Sequence, residues 1–234
     1  MVALRVFKDA DELGAALAKE IIELQPRLLG CPGGRSLRST YRALATTGAD
    51  LSATTIVMMD EYIPVPPTDA PHSCRGFGLR EIAHPLGIPD HNLWLPEPDD
   101  PGSYDDRIAS AGGVDLFLLA SGASDGHVAF IPPRSPLDGR TRVVRIADST
   151  RRDNVITFPE LGSIAAVPKY GVSVGLATIA SSRRVRLVIH GADKRQAAAR
   201  ILALDRFDAG WPASVIYECT NAELWLDETA YARG

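Results

Sequence analysis

Short apolar runs, each ending in a glycine-rich or acidic turn, alternate with helix-like segments along this chain. The clearest runs cover residues 27–31, 54–59, 114–120 and 183–191. Strands that are apolar along their whole length are typical of a parallel sheet, because both faces of such a sheet are covered. The intervening helices supply that cover. The sequence therefore predicts an α/β fold with a mostly parallel, doubly wound, Rossmann-like sheet and helices on both faces.

The chain shows no repeat, no low-complexity tract and no linker-like change in composition. We therefore predict that residues 1–234 form a single domain. The proline-rich segment 63–72 is predicted to be an active-site loop. Residues 148–170 are expected to be irregular, and residues 214–219 are expected to form a buried strand.

The charge balance excludes several classes of partner. A formal net charge of −4 gives no general attraction to nucleic acid or to an anionic membrane. No apolar run approaches the roughly 18 residues of a membrane-spanning helix, and the first residues lack the apolar core of a signal peptide. The 3 cysteines are widely spaced and form neither a zinc pattern nor a disulfide framework. We expect a cytoplasmic protein without nucleic-acid or membrane partners.

Polar clusters directly follow the predicted strands, and ligands of parallel sheets bind beyond the carboxyl ends of the strands. The clusters are Gly33-Gly34-Arg35-Ser36, Asp60-Glu61-Tyr62 and Ser124-Asp125-Gly126-His127. Their convergence at one edge of the sheet predicts a binding site there.

The glycine cluster is suited to binding an anion. Gly33 and Gly34 allow backbone amides to approach closely, and Ser36 with the following helix start adds donors. No Gly-Lys-Ser/Thr sequence follows, so the segment is not a Walker loop. Lys194, which begins a helix after another apolar run, could reach the same anion. A plain strand-to-helix turn and a surface lysine are the alternatives.

The two acidic clusters indicate proton-transfer chemistry. Asp60 or Glu61 could move a proton between neighbouring carbons if burial raised the pKa of one carboxyl. A helix-capping aspartate with a solvated glutamate is the alternative. Asp125 and His127 could form a hydrogen-bonded acid/base pair, and the alternative is a loop histidine without a chemical role.

Four motifs occur in order: MMDEY at 58–62, GASDGHVAF at 122–130, VPKYGVSVGLATI at 167–179 and GADK at 191–194. Together they resemble the superfamily of glucosamine-6-phosphate deaminase (isomerase) and 6-phosphogluconolactonase, and they are closer to the deaminase branch. The resemblance extends from about residue 31 to residue 223. It implies a sugar-phosphate substrate.

The resemblance also implies roles for individual residues. Asp60 would move a proton between C1 and C2 of the opened amino sugar, and His127, beside Asp125, would assist ring opening. The residues expected to bind the substrate or its phosphate are Gly33, Gly34, Arg35, Ser36, Glu61 and Lys194. The product would be a ketose imine, from which water releases ammonia. No metal or organic cofactor is expected, because acid/base groups suffice.

The sequence departs from the deaminase pattern at two places. Pro132 stands where deaminases carry the glutamate that completes an Asp-His-Glu relay. Ungapped counting places Ile156 at the position of the phosphate-binding lid arginine, although Arg151 and Arg152 lie nearby. A sugar lactone hydrolase and a sugar-phosphate sensor without catalysis therefore stay open.

Local features favour the deaminase branch at one position and the lactonase branch at another. Tyr62 follows the Asp-Glu pair where lactonases tend to carry arginine, whereas the turn at residues 32–36 is similar to a lactonase turn. Some deaminases are hexamers, but no feature of this sequence predicts one, so a homo-oligomer stays an open prediction.

Overall fold

The computed structural model describes residues 2–232. The strands within this range are β1 (Ala3–Phe7), β2 (Leu28–Cys31), β3 (Thr55–Met58), β4 (Asp60–Ile63), β5 (Leu93–Trp94), β6 (Leu116–Ala120), β7 (Arg142–Arg145), β8 (Tyr170–Ser173), β9 (Val185–Ile189) and β10 (Ala222–Asp227). The α-helices are α1 (Ala10–Leu24), α2 (Arg38–Thr47), α3 (Cys74–Phe77), α4 (Pro101–Ser110), α5 (Asp148–Thr157), α6 (Leu176–Ala180), α7 (Arg195–Leu202) and α8 (Glu228–Tyr231). A π-helical turn, Gly78–Ala83, continues α3.

The main sheet has 7 strands in the order β1-β10-β9-β6-β2-β3-β5. Every neighbouring pair in it is parallel. The predicted fold class, a mostly parallel sheet between two layers of helices, is confirmed.

Alternating side chains of the central strands feed two separate cores. In β3, Ile56 and Met58 pack with α1 and α2 on one face of the sheet. Val57 points to the other face and joins the core formed with α4, α6 and α7. Because both faces bury apolar side chains, each strand has the continuous apolar sequence from which the sheet was predicted.

Helix α1 illustrates how local sequence sets an element. The Asp9 side chain accepts the backbone N–H groups of Asp11 and Glu12 and so caps the helix start. Leu13 and Leu17 recur four residues apart and are fully buried against the sheet. Burial of this face stabilises the helix more than intrinsic propensity does.

A second sheet of 3 antiparallel strands, β4-β8-β7, lies beside the carboxyl edge of the main sheet. Only Met59 separates β3 from β4, so the chain passes from one sheet directly into the other. The sequence predicted that the strand at 54–59 ends at Asp60; in the structure Asp60 is the first residue of the next strand, β4, and pairs with Ser173. The second sheet therefore holds Asp60 rigidly at the edge of the first.

Two local predictions were wrong. The segment expected to be irregular, 148–170, contains helix α5. The strand expected at 214–219 is a 3₁₀-helix, Pro212–Glu218, in which Val215 and Ile216 are fully buried. A short apolar run that is buried on all sides carries no periodicity that separates strand from helix.

The strand order places β9, β6, β2 and β3 side by side. From β2 the chain continues to β3 on one side, and from β6 it continues to β9 on the other. The crevice between β2 and β6 is therefore the topological switch point, where open α/β sheets bind ligands. No helix within residues 2–232 has the length and apolar character required to cross a lipid bilayer.

Candidate active site

A cavity of about 230 Å³ opens at this switch point. Turns that follow β2, β6 and β9, together with the start of β4, form its walls. Seven of the nine residues predicted for the site line it: Gly33, Gly34, Arg35, Ser36, Asp60, His127 and Lys194. The topology thus brings together side chains that lie more than 150 residues apart in the sequence.

One wall is an anion cradle, which we define as residues 33–36 together with Lys194. Gly34 has a φ of 85°, a left-handed conformation that favours glycine. The Lys194 ammonium donates to the Ser36 hydroxyl at 3.0 Å and to the Ser121 carbonyl at 2.6 Å. Burial, with a smaller contribution from the Arg35 charge, lowers the pKa of Lys194 to about 8. An anionic ligand would therefore stabilise the charged form of the buried Lys194 ammonium.

Asp60 forms the opposite wall. Its side chain is 7% exposed, and its Oδ1 lies 3.3 Å from the Cys74 thiol. Burial raises the pKa of Asp60 to about 7, because water no longer solvates the ionised carboxylate. Asp60 is therefore suited to accept and return a proton near neutral pH.

Asp125 lies behind His127 rather than in the cavity lining. Its Oδ1 is 2.6 Å from His127 Nδ1, and its Oδ2 accepts hydrogen bonds from Ser149 and Thr150. Burial acts to raise the pKa of Asp125, but hydrogen bonds from His127 and Ser149 and the His127 charge outweigh it, so the pKa lies well below its usual range. An ionised Asp125 fixes Nδ1 of the imidazole as a donor, which leaves Nε2 for the cavity.

Small residues make room for this imidazole. A Cβ atom on Gly122 would lie 2.1 Å from His127 Nδ1, so only glycine is tolerated there. Gly126 has a φ of 66°, and a Cβ atom on it would lie 2.3 Å from the Trp211 ring. Gly122 therefore makes room for the His127 ring, and Gly126 makes room for the Trp211 ring.

Glu61 is placed differently from the prediction. Its carboxylate accepts backbone N–H groups of Tyr62 (2.9 Å), Cys74 (3.1 Å) and Arg75 (2.9 Å), and it lies outside the cavity lining. Neighbouring residues of a strand point to opposite sides, so only one of Asp60 and Glu61 faces the cavity. Glu61 anchors the start of α3, and the substrate-binding role predicted for it stays a prediction.

Asp153 lines the cavity but was not identified from the sequence. Its Oδ2 accepts the N–H groups of Ala123 (3.1 Å) and Ser124 (3.4 Å) and the Ser124 hydroxyl (3.1 Å). No sequence pattern marks it, because it lies on α5, within the segment that was predicted to be irregular. Asp153 ties this helix to the turn that carries His127.

The departure at the lid arginine has a structural counterpart. Arg151 cannot contact a ligand, because its guanidinium is buried and donates to the carbonyls of Ile164 and Val167. Ile156 lines the cavity and is 63% exposed. The cavity therefore offers an apolar surface at the position that counting assigned to the lid arginine.

Asp125, His127 and Asp153 place potential metal-ligand atoms within 4.8 Å of one another. The Asp125 oxygens already accept hydrogen bonds from His127 and Thr150, and Asp153 Oδ2 accepts from the 123–124 turn. A cation would have to displace these donors, so the arrangement fits a hydrogen-bonded histidine better than a metal centre.

Taken together, the fold and the cavity define the class: an α/β protein with a cavity at the topological switch point, lined by Asp60, His127 and Lys194. The family model of glucosamine-6-phosphate isomerases/6-phosphogluconolactonase matches residues 8–225. The chain belongs to this family, and the predicted superfamily is confirmed.

Individual relatives agree with this assignment. A glucosamine-6-phosphate deaminase of Shouchella clausii (strain KSM-K16) is 30% identical over 241 residues, covering 98% of this chain and 95% of the relative. The solved structure of a monomeric glucosamine-6-phosphate deaminase matches with a TM-score of 0.89 and 26% identity, covering 98% of both chains. The 6-phosphogluconolactonase of Trypanosoma brucei has a TM-score of 0.73 and 22% identity, covering 98% of this chain and 97% of its own, and shows likeness of fold alone.

Proposed function

We propose that this chain is an amino-sugar phosphate isomerase/deaminase that converts glucosamine 6-phosphate to a ketose phosphate and ammonia. The observation that carries the proposal is that Asp60 and His127 face one cavity whose far wall is the anion cradle. The similarity to deaminases over nearly the whole chain supports the same reaction.

In this mechanism the substrate phosphate binds the cradle through Lys194, the backbone amides and Ser36. His127, oriented by Asp125, would take the proton of the C1 hydroxyl on Nε2 and give it to the ring oxygen, so that the bond between C1 and the ring oxygen breaks and the hexose ring opens. A side chain that transfers a proton at a breaking C–O bond accelerates such a step by about 10²- to 10⁴-fold.

Asp60 would then remove the proton from C2 of the open aldose and deliver it to C1. The electron pair of the C2–H bond forms a C1=C2 double bond, and the C1 carbonyl oxygen gains a proton to become a hydroxyl. When Asp60 protonates C1, the nitrogen lone pair forms the C2=N bond of the imine and one N–H proton is released, which balances the proton gained by the C1 oxygen. Water then adds to C2, and the proton of the new C2 hydroxyl moves to the nitrogen as the C2–N bond breaks, which leaves a ketone and ammonia. A carboxyl with a pKa near 7 is matched to a base that accepts and returns one proton at neutral pH.

A lactone hydrolase acting on 6-phosphogluconolactone is the second candidate. His127 would activate water against the ester carbonyl, and the relay glutamate replaced by Pro132 would not be needed. The lactonase-like turn at residues 32–36 favours this candidate. Such a mechanism leaves the raised pKa of Asp60 without a function, and for that reason we rank it second.

A direct assay separates the candidates. The purified chain is incubated with glucosamine 6-phosphate and with 6-phosphogluconolactone, while ammonia and acid are measured, and Asp60→Asn serves as the matched control. We expect ammonia release by the wild type that is lost in the variant. Acid release from the lactone without ammonia would identify the hydrolase, and ligand-induced stabilisation without turnover would identify a sensor.

We further propose that residues 1–234 act as one domain in the cytoplasm. The related deaminase structure described as monomeric favours a functional single chain over a homo-oligomer. Sedimentation of the purified protein at assay concentration tests this point. A species larger than one chain would contradict it.

A further inference from the structure

The Cys74 thiol contacts the proposed base directly. Its Sγ atom lies 3.3 Å from Asp60 Oδ1. Cys74 is 6% exposed and Asp60 is 7% exposed, so water has little access to replace this contact. Within residues 2–232, the Asp60 carboxylate accepts its one protein hydrogen bond from this thiol. A hydrogen-bond donor held against a proton-transferring carboxylate affects both the orientation and the ionisation of that carboxylate.

The position of Cys74 does not depend on its own side chain. Glu61 accepts the N–H groups of Cys74 and Arg75, at 3.1 and 2.9 Å, and the Ser73 hydroxyl caps the first turn of α3. Two adjacent residues of β4 therefore hold this turn. Glu61 accepts hydrogen bonds from its backbone amides, and Asp60 accepts one from the Cys74 thiol. The position of the backbone therefore places the Cys74 Sγ atom beside the Asp60 carboxylate.

The thiol acts only as a donor. Burial raises the pKa of Cys74 well above its usual range, and the charges of Asp60 and Glu61 raise it further. A sulfur that keeps its proton is a poor nucleophile. A hydrogen bond to an ionised carboxylate stabilises the ionised form relative to the protonated form.

Other titratable groups also face Asp60 from the surrounding elements. They are Glu61 and Tyr62 on β4, Cys74 on α3, Tyr104 on α4 and His127 on the turn after β6. Glu61 opposes ionisation of Asp60 and His127 favours it. Of these groups, Cys74 is the one whose side chain is in hydrogen-bond contact with an Asp60 oxygen.

We propose that Cys74 is a positioning residue for Asp60: its S–H group orients the carboxylate toward the cavity and stabilises the ionised form that accepts the proton. This inference rests on the proposed function for its catalytic meaning. The contact itself exists whether or not the substrate is an amino-sugar phosphate.

The pH dependence of kcat/KM with glucosamine 6-phosphate tests the inference. Cys74→Val removes the donor and nearly preserves the volume, whereas Cys74→Ser retains a donor. Loss of the donor should move the acidic limb of the profile upward by about 0.5 to 1 pH unit. The rate deficit of Cys74→Val should therefore grow as the pH falls, and the limb of Cys74→Ser should stay at or below that of the wild type.

A role in packing alone predicts a different result, namely a rate reduction of equal size at every pH for either variant. An unchanged acidic limb in Cys74→Val would therefore overturn the inference. If Cys74→Val does not fold, Cys74→Ala supplies the same comparison. If the wild type shows no turnover, the proposed function fails while the next measurement still decides the role of Cys74.

Infrared spectroscopy of the S–H stretch needs no substrate. The difference spectrum between wild type and Cys74→Val isolates the Cys74 band from those of Cys31 and Cys219. We expect this band to shift as the pH passes through about 7, because the acceptor Asp60 becomes ionised. The shift should be absent in Asp60→Asn. A band that does not respond to pH between about 5 and 9 would overturn the inference.

Discussion

Two carboxylates have contrasting environments: Asp60 lines the cavity, and Asp125 lies behind His127. Asp60 is buried with a single thiol donor, and its pKa rises to about 7. Asp125 has a similarly small exposed fraction, but it accepts hydrogen bonds from His127, Ser149 and Thr150. Its pKa falls well below its usual range. Burial alone therefore does not set the charge state of a carboxyl group; the number of donors decides it. One carboxyl is left able to exchange protons, and the other is left permanently charged to orient a histidine.

The largest effect is expected from substitution of Asp60. Asp60→Asn removes the base while preserving shape, and turnover of glucosamine 6-phosphate should fall by roughly 10³-fold. Binding should persist, because the anion cradle is untouched. Steady-state kinetics together with ligand-induced thermal stabilisation check both statements. Retention of most of the turnover would remove Asp60 from the chemistry.

Substitution of Asp125 should have a smaller effect. Asp125→Asn keeps an acceptor for His127 Nδ1 but removes the negative charge, so we expect kcat to fall about tenfold to a hundredfold. A matched Ser149→Ala variant removes one donor from Asp125 and should cost less than Asp125→Asn. If Asp125→Asn were as active as the wild type, the orienting role would be contradicted.

The anion cradle gives the next effect. Lys194→Gln removes a charge-assisted donor, so KM for a phosphorylated sugar should rise about tenfold to a hundredfold, with little change for the dephosphorylated sugar. In the wild type, phosphate affinity should weaken as the pH rises past about 8, because Lys194 then loses its proton. Isothermal titration with both sugars measures this difference. Equal losses for the two sugars would refute a phosphate role.

The two aspartates should also affect stability with opposite signs. The folded pKa of Asp60 is raised, so the carboxyl costs stability as the pH rises from about 4 to about 7, and Asp60→Asn should stabilise the fold by a few kcal/mol above pH 7. The folded pKa of Asp125 is lowered, so its contribution is present above about pH 4 and is lost on acidification. Asp125→Asn should therefore destabilise the fold at neutral pH. Urea unfolding at pH 5 and pH 8 measures both, and shifts of the same sign in both variants would contradict the comparison.

Much of the architecture could be predicted from the sequence. Continuous apolar runs such as 114–120 occur because both faces of β6 are buried, and polar residues follow because ligands bind beyond the strand ends. These regularities sufficed to place Asp60, His127 and Lys194 at one edge of the sheet. That all three line one cavity depends on how the turns pack in three dimensions, which the sequence alone does not determine.

Other features depend on contacts between distant segments. Glu61 and Asp60 are neighbours in an acidic pair, and only the pairing of β4 with β8 shows which of them faces the cavity. Asp153 lies on α5, of which only Thr150 and Arg151 are buried, so the helix has no apolar periodicity to reveal it. The Cys74–Asp60 contact joins two residues 14 positions apart across the proline-rich loop.

Titration of the two aspartate carboxyls tests the central claim most directly. Carbon-13 NMR of aspartate-labelled protein, assigned with Asp60→Asn and Asp125→Asn, reports each pKa without substrate. We predict a titration of Asp60 near pH 7 and an Asp125 signal that stays ionised well below the usual aspartate range. Titration of both carboxyls together near pH 4, the ordinary aspartate value, would contradict the account.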